Sequence, residues 1–397
     1  MGSALQHPVT AKESENGSCV DKGLAWGACS MQGWRISMED THFAIPSLEG
    51  DGWQGTALFG VFDGHGGDLV ARFCETRLPQ EIVKGPCSDP KHSLVEAFHR
   101  MDDMLCEPSG LAELERLALI STNGQTPQSR SLYGSDPSWI GCTAVVCCVR
   151  PDVIVVANAG DSRAILCREG QAVPMSDDHK PNMPAERARI AKAGGTVERQ
   201  QVGPIVQYRV NGNLNLSRSI GDLQYKQNTF AGPEDQMICS TPDVLTFERE
   251  PHDEFMVLAC DGIWDVLANQ DVVDFIRERL PRCTGSGSTE PLSRILEELL
   301  DACISPNLAL TAGLGGDNMT AVLVVFNREP TACTGVADDA VQLSEKPAQE
   351  HEGLEPKQSS ASSTRPQRCE GLSGGHHNYD LDSAVVVPSG LFCGCTR

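Results

Sequence analysis

The stretch T-A-L-F-G-V-F-D-G-H-G-G, residues 56–67, runs an apolar segment straight into Asp63 and a cluster of glycines. Thr56 to Phe62 reads as a buried strand, because its apolar residues are continuous, β-prone and short. The glycines that follow let the backbone turn sharply and bring a carbonyl close to a bound ion. A bare D-G-x-G-G fits an ordinary turn equally well. The same arrangement recurs elsewhere in the chain. Val153 to Ala159 leads into Gly160 and Asp161, and Phe255 to Cys260 leads into Asp261 and Gly262. Gly315, Gly316, Asp317 and Asn318 stand directly before the apolar run Met319 to Phe326. Asp and Gly favour turns in any protein, so four independent turns account for the pattern without any function.

Hard cations offer the other reading. Magnesium and manganese take oxygen ligands and are held through one or two carboxylates, a backbone carbonyl and substrate phosphate. Strand ends converging at one edge of a sheet sandwich supply that geometry. A further acidic pair, Glu39 and Asp40, follows S-M-Q-G-W-R-I-S-M at 30–38, and Arg35 within it carries a planar fork matched to phosphate oxygens. These are the components of two-metal phosphoester hydrolysis.

Outward from these motifs, residues 1–22 are small and polar with no hydrophobic period, which predicts a flexible arm. From Gly23 to about residue 328, strand-like runs alternate with amphipathic helical patterns, as in one mixed α and β domain. Helices are expected over Asp68–Leu78 and Ser93–Leu105, from Pro184 to the Gly194-Gly195 stop, and around Val272–Leu280 and Leu292–Ile304. The segment 107–138 loses its period and reads as an inserted surface loop, and residues 329–397 read as a disordered tail.

Composition narrows the function classes. A formal charge of −22, from 54 acidic and 32 basic residues, repels nucleic acid and anionic lipid, so no nucleic-acid partner is expected. The 17 cysteines are scattered, often inside apolar runs, with no paired spacing suited to zinc, and are expected to be reduced. No secretory signal is recognisable, and no apolar stretch reaches the ~18–20 residues of a membrane span, so a soluble intracellular protein is expected, cytoplasmic with nucleus and membrane left open. A monomer is expected. Met1-Gly2 resembles the start of a myristoylation signal, but Gln6 stands where Ser or Thr is usual. Cys393 and Cys395 are not fourth from the end, so there is no prenylation box, while palmitoylation stays open.

Eight stretches, M-Q-G-W-R-I-S-M-E-D (31–40), V-F-D-G-H-G-G (61–67), G-C-T-A (141–144), A-N-A-G-D-S-R-A (157–164), D-H-K-P (178–181), L-N-L-S-R-S-I-G-D (214–222), C-D-G-I-W-D (260–265) and G-G-D-N-M-T (315–320), resemble the protein phosphatase 2C (PP2C) family in the family's order. The resemblance spans roughly three quarters of the chain, the size of one large domain. It implies an α+β fold of two packed antiparallel sheets flanked by helices on both outer faces. It implies hydrolysis of protein phosphoserine and phosphothreonine by a metal-bridging water or hydroxide, without a covalent phosphoenzyme.

Carried over by motif, Asp63 resembles the carboxylate that bridges two Mg²⁺ or Mn²⁺ ions. Gly64 would lend its carbonyl, Asp261 and Asp317 would bind the second ion, and Glu39 would act through water. Asp161, with Asp261, resembles the place of a weaker third ion. Arg35 would clamp the substrate phosphate and His65 would act as the general acid. Cys142 departs from the family's usual Ser or Thr without touching a ligand, and the segment around 182–232 corresponds to the family's variable flap. Two other readings are a catalytically dead interaction module, against which the metal aspartates stand, and a phosphoesterase for small molecules, which a phosphopeptide assay separates.

Overall fold

The computed structural model describes residues 4–19, 22–121, 137–202, 205–285 and 289–326. Two antiparallel sheets dominate. The six-stranded sheet runs in the order β1 (Ala4–Cys19), β2 (Leu24–Arg35), β16 (Met319–Phe326), β15 (Asp253–Ala259), β9 (Arg163–Arg168), β10 (Gln171–Pro174). The five-stranded sheet runs β14 (Asp243–Glu248), β8 (Val153–Ala159), β7 (Ala144–Val149), β4 (Ala57–Phe62), β3 (Thr41–Ile45).

Strand alternation explains why the decisive runs are apolar throughout. In β4, Ala57, Phe59 and Val61 enter the core between the sheets, where they share a cluster with Trp26, Val145, Leu166, Leu258 and Val324. Leu58 and Phe62 point the other way, into a cluster with Phe73, Phe98 and Met101 from the helices. Successive side chains face opposite sides of a strand, so a strand covered on both sides has no polar face to show. β4, β7 and β16 are buried along their whole length. Truncating a side chain such as Phe59 to Ala should cost on the order of 3–5 kcal/mol.

The outer face of the five-stranded sheet is covered by α1 (Leu69–Ile82), α2 (Pro90–Cys106) and α3 (Pro108–Ser121). Pro90 opens α2, and Asp89 Oδ1 accepts from the His92 N–H at 3.1 Å, an N-cap. The six-stranded sheet is covered by α5 (Asp261–Trp264), α6 (Asn269–Arg279), α7 (Pro281–Thr284) and α8 (Ser293–Cys303). The flap segment contains α4 (Pro184–Lys192) and the hairpin β11 (Val197–Val202) and β12 (Ile205–Val210). Its small core is Ile190, Val210, Tyr225 and Ile238. A three-stranded sheet, β13 (Ile220–Gly221), β6 (Gly141–Cys142) and β5 (Gly64–His65), sits beside the decisive turn. The α+β sandwich implied by the resemblance is therefore the fold.

Two expectations need correcting. Residues 4–19 are not an arm but strand β1, paired antiparallel with β2 from Ala4↔Arg35 to Cys19↔Leu24. Lys12 bonds Asp301 at 2.6 Å, Ser14 bonds Glu297 at 2.9 Å, and Asn16 donates to Ser293 Oγ at 2.8 Å, tying β1 to α8. The first part of the 107–138 insertion is helix α3, whose Leu114, Leu117 and Ala118 are buried against α1 and α2. The remainder, 122–136, and the tail expected at 329–397 lie outside the described residues.

Candidate metal centre and phosphate cleft

Loops at one end of the sandwich meet in a cleft of about 280 Å³, and every site residue singled out above lines it: Arg35, Glu39, Asp63, Gly64, His65, Asp161, Asp261 and Asp317. They arrive from the ends of β2, β4, β8 and β15 and from the turn before β16. The turn after β4 is tightened on both sides. Thr143 N–H donates to Asp63 O at 2.9 Å, and Asp63 N–H donates to Thr143 Oγ1 at 3.2 Å. Gly64 must be glycine, because a Cβ there would sit 2.3 Å from the Glu39 carbonyl oxygen. The Glu39 carboxylate is held by Ser37 Oγ at 2.6 Å and by the Gly67 N–H at 3.1 Å.

Asn318 was missed by sequence reasoning as a structural pivot. Its side chain donates to Gln32 O at 2.7 Å and Ser37 O at 3.0 Å and accepts from the Glu39 N–H at 2.9 Å. It therefore locks the 36–40 loop onto the turn carrying Asp317. Asp40, named with Glu39 but given no role, lies buried behind them.

The charge balance of the cleft is the strongest sign of a cation site. Burial, then repulsion from Asp40, Asp261, Asp317 and Asp161, pushes Asp63 well above the usual carboxylate range. Burial, then Asp161, Asp317 and Asp265, does the same to Asp261, against the pull of Lys180. Burial lifts Asp40 to about 7, against the pull of the Thr320 hydroxyl and the Cys260 thiol beside it. Buried carboxylates gathered this closely are costly unless a cation answers them. Ligand atoms of Asp40, Asp63 and Cys260 lie within 4.8 Å of one another. Cys260 is the weak member of that trio: burial raises its thiol strongly, and its sulfur is occupied by the Thr320 N–H at 3.1 Å. With oxygen donors in the majority, the set fits a hard divalent cation rather than zinc.

The cations already present in the cleft are protein groups. Arg35 pairs with Asp317 at the cleft mouth. Burial opposes the Arg35 charge, but Asp317, then Asp261 and Asp63, raise its pKa above the ordinary value. Lys180, from the D-H-K-P stretch, reaches Asp161. On the far wall, His65 Nε2 lies 2.7 Å from Asp222 Oδ2. Burial disfavours the imidazolium, yet the charge and hydrogen bond of Asp222 outweigh it and lift the His65 pKa.

Comparison with known proteins identifies the family. The family model described as Protein phosphatase 2C matches residues 24–309. Probable protein phosphatase 2C 58 of Oryza sativa subsp. japonica is 41% identical over 353 residues, covering 83% of this chain and 90% of that one. Protein phosphatase 2C homolog 2 of Schizosaccharomyces pombe is 41% identical over 329 residues, covering 82% of this chain and 79% of that one. The crystal structure of serine-threonine phosphatase 2C from Toxoplasma gondii shares the fold, with a TM-score of 0.57 at 20% identity over 82% of this chain and 98% of that chain.

Fold and cleft together define a metal-dependent phosphoester hydrolase. The chain belongs to the protein phosphatase 2C family, and its activity is that of a serine/threonine protein phosphatase acting on phosphorylated proteins.

Proposed function

We propose that the cleft holds two Mg²⁺ or Mn²⁺ ions and hydrolyses phosphoserine and phosphothreonine without a covalent intermediate. The observation that carries this reading is the meeting of Asp63, Asp261, Asp317, Glu39 and Asp161 in one cleft with Arg35 and His65. Asp63, the Gly64 carbonyl, Asp261 and Asp317 would hold the cations, and Glu39 would act through water. Asp161 with Asp261 offers a third, weaker position. The cations, when bound, acidify a water and so supply a nucleophile at neutral pH.

The protein's own groups handle the substrate. Arg35 lies at the mouth, where its fork can take two phosphoryl oxygens once Asp317 is engaged elsewhere. His65 donates a proton to the serine or threonine oxygen as the P–O bond breaks, worth about 10²- to 10⁴-fold for a poor leaving group. Hydrolysis of a phosphothreonine peptide by the purified chain, measured with Mn²⁺, with Mg²⁺ and with EDTA, tests the reading. Turnover that survives EDTA would sink it. Turnover of small phosphate esters alone would point to a small-molecule phosphoesterase instead.

A further inference from the structure

His65 does not stand alone in its wall of the cleft. It belongs to β5, which pairs with β6, which pairs with β13, so that Gly141 of β6 is registered with His65 on one side and with Gly221 on the other. Asp222 follows Gly221 directly. The small sheet thus carries the imidazole and the carboxylate to each other across Gly141, although they are 157 residues apart in the chain.

Three further observations show that this meeting is built. A Cβ at Gly141 would sit 2.4 Å from Asp222 Oδ2 and 2.7 Å from His65 Nε2, so any side chain there would part the pair. Asp222 adopts a left-handed backbone, φ 51°, which a non-glycine residue takes only at some cost. That conformation is braced by Asp222 N–H to Ile140 O at 2.9 Å and by Gly221 N–H to Asp102 Oδ1 at 2.8 Å. Lys226 joins the brace, bonding Asp102 Oδ2 at 2.6 Å and Ser219 O at 2.7 Å. Finally, the Asp222 carboxylate is 1% exposed, while His65 is 23% exposed toward the cleft. Its Oδ2 takes a second donor, Ser219 Oγ at 2.5 Å, and its Oδ1 has no partner. The imidazole and the Ser219 hydroxyl therefore meet the carboxylate at the same oxygen.

We infer that Asp222 is the positioning residue for the general acid: it holds the His65 Nε2–H and leaves Nδ1 as the nitrogen that serves the substrate. Proton transfer then runs from Nδ1–H to the departing serine or threonine oxygen. The P–O bonding pair goes to that oxygen and takes up the proton, Nδ1 keeps the N–H pair, and the neutral ring stays anchored through Nε2–H on Asp222. The Asp–His pairing serves the role a carboxylate plays behind other catalytic histidines, fixing ring and tautomer. This inference rests on the reading of His65 as the acid.

The test is a kinetic cycle of wild type, His65→Gln, Asp222→Asn and the double variant, on a phosphothreonine peptide and on p-nitrophenyl phosphate, whose leaving group needs no proton. Asn tolerates the left-handed backbone, so Asp222→Asn should fold, checked by melting temperature and Mn²⁺ binding. Gly141→Ala is the second variant, since it keeps both side chains and parts them. The expected result is a kcat loss of about tenfold or more on the phosphopeptide in Asp222→Asn, with KM nearly unchanged, a far smaller loss on p-nitrophenyl phosphate, and no further loss in the double variant beyond that of His65→Gln. If His65→Gln discriminates between the two substrates and neither Asp222→Asn nor Gly141→Ala does, or if the losses multiply in the double variant, Asp222 is only a turn residue. If His65→Gln itself fails to discriminate, the acid reading falls, and the role of Asp222 falls with it.

Discussion

Lys180 Nζ lies 2.5 Å from Asp161 Oδ2, so this buried carboxylate of the cleft is already answered by an ammonium belonging to the protein. Burial opposes the Lys180 charge, but Asp161 and then Asp261 hold its pKa above the ordinary lysine value. The same two carboxylates form the third cation position proposed above. A divalent ion bound there would compete with the ammonium for Asp161.

Lys180→Met keeps most of the side chain's length and removes its charge. Titration with Mn²⁺, followed by calorimetry or by the electron paramagnetic resonance of free ion, should show the weakest site tightening by about tenfold, the equivalent of about 1.4 kcal/mol. An isotherm identical to wild type would show that Lys180 does not compete for the site.

Asp63→Asn should reverse its effect on stability when metal is added. In EDTA the variant removes a charge that its neighbours repel, and since the pKa of Asp63 is raised in the fold, the ionised group destabilises the folded state at neutral pH. Its melting temperature should then exceed that of wild type by about 2–4 °C for each kcal/mol relieved. With saturating Mn²⁺ wild type should gain stability through binding and the variant should not. A variant that melts below wild type in EDTA would contradict the repulsion argument.

Arg35→Ala should raise KM for a phosphopeptide several-fold and weaken inhibition by free phosphate. The Arg35–Asp317 pair is solvent-exposed, unlike the pairing of Lys180 with buried Asp161, so freeing Asp317 should change Mn²⁺ affinity by no more than about threefold. Unchanged KM together with unchanged phosphate inhibition would make Arg35 an ordinary partner of Asp317.

The flap hangs on one buried acid. Glu186 accepts from Ser217 Oγ at 2.6 Å, Arg218 Nη2 at 2.8 Å and Arg189 Nη1 at 2.8 Å. Burial works against its charge, but the arginines and Ser217 hold its pKa below the usual carboxylate value. A depressed pKa means that this contribution is present at pH values above the unfolded carboxylate's pKa and is lost as pH falls through the lowered one. Glu186→Gln leaves Arg189 without its carboxylate and Arg218 with Asp243 alone, and should destabilise by about 3 kcal/mol at pH 7. The difference from wild type should shrink in acid. Limited proteolysis between 182 and 232 is the measurement, and flap cleavage no faster than in wild type would show that Glu186 does not anchor it.

What could be read from the chain follows the physics of burial. The strands bearing Asp63, Asp161, Asp261 and Asp317 are covered on both faces, so their apolar runs stand out against any background. β1 was invisible for the opposite reason. Its sequence A-L-Q-H-P-V-T-A-K-E-S-E-N-G-S-C is that of an edge strand, held by backbone pairing and by polar bonds to α8, with little side-chain burial to set a period. Helix α3 was hidden because Leu111, Leu114 and Leu117 are spaced for a helix within a stretch otherwise full of turn formers. In the site, the aspartates beside glycines were found and Asp222 was not. It too follows a glycine, but the strand before it is only two residues long, so no apolar run announces it. Asn318 and Lys180 sat in plain view inside motifs. Only the folded distances show what they hold.

The first strand carries a practical consequence. Its opening residue, Ala4, is registered opposite Arg35, so β1 begins beside a residue that lines the cleft. A purification tag or fluorescent fusion attached there would stand on the threshold of the cleft, crowding bulky phosphoproteins while leaving p-nitrophenyl phosphate untroubled. A substrate preference measured on such a fusion would belong in part to the handle.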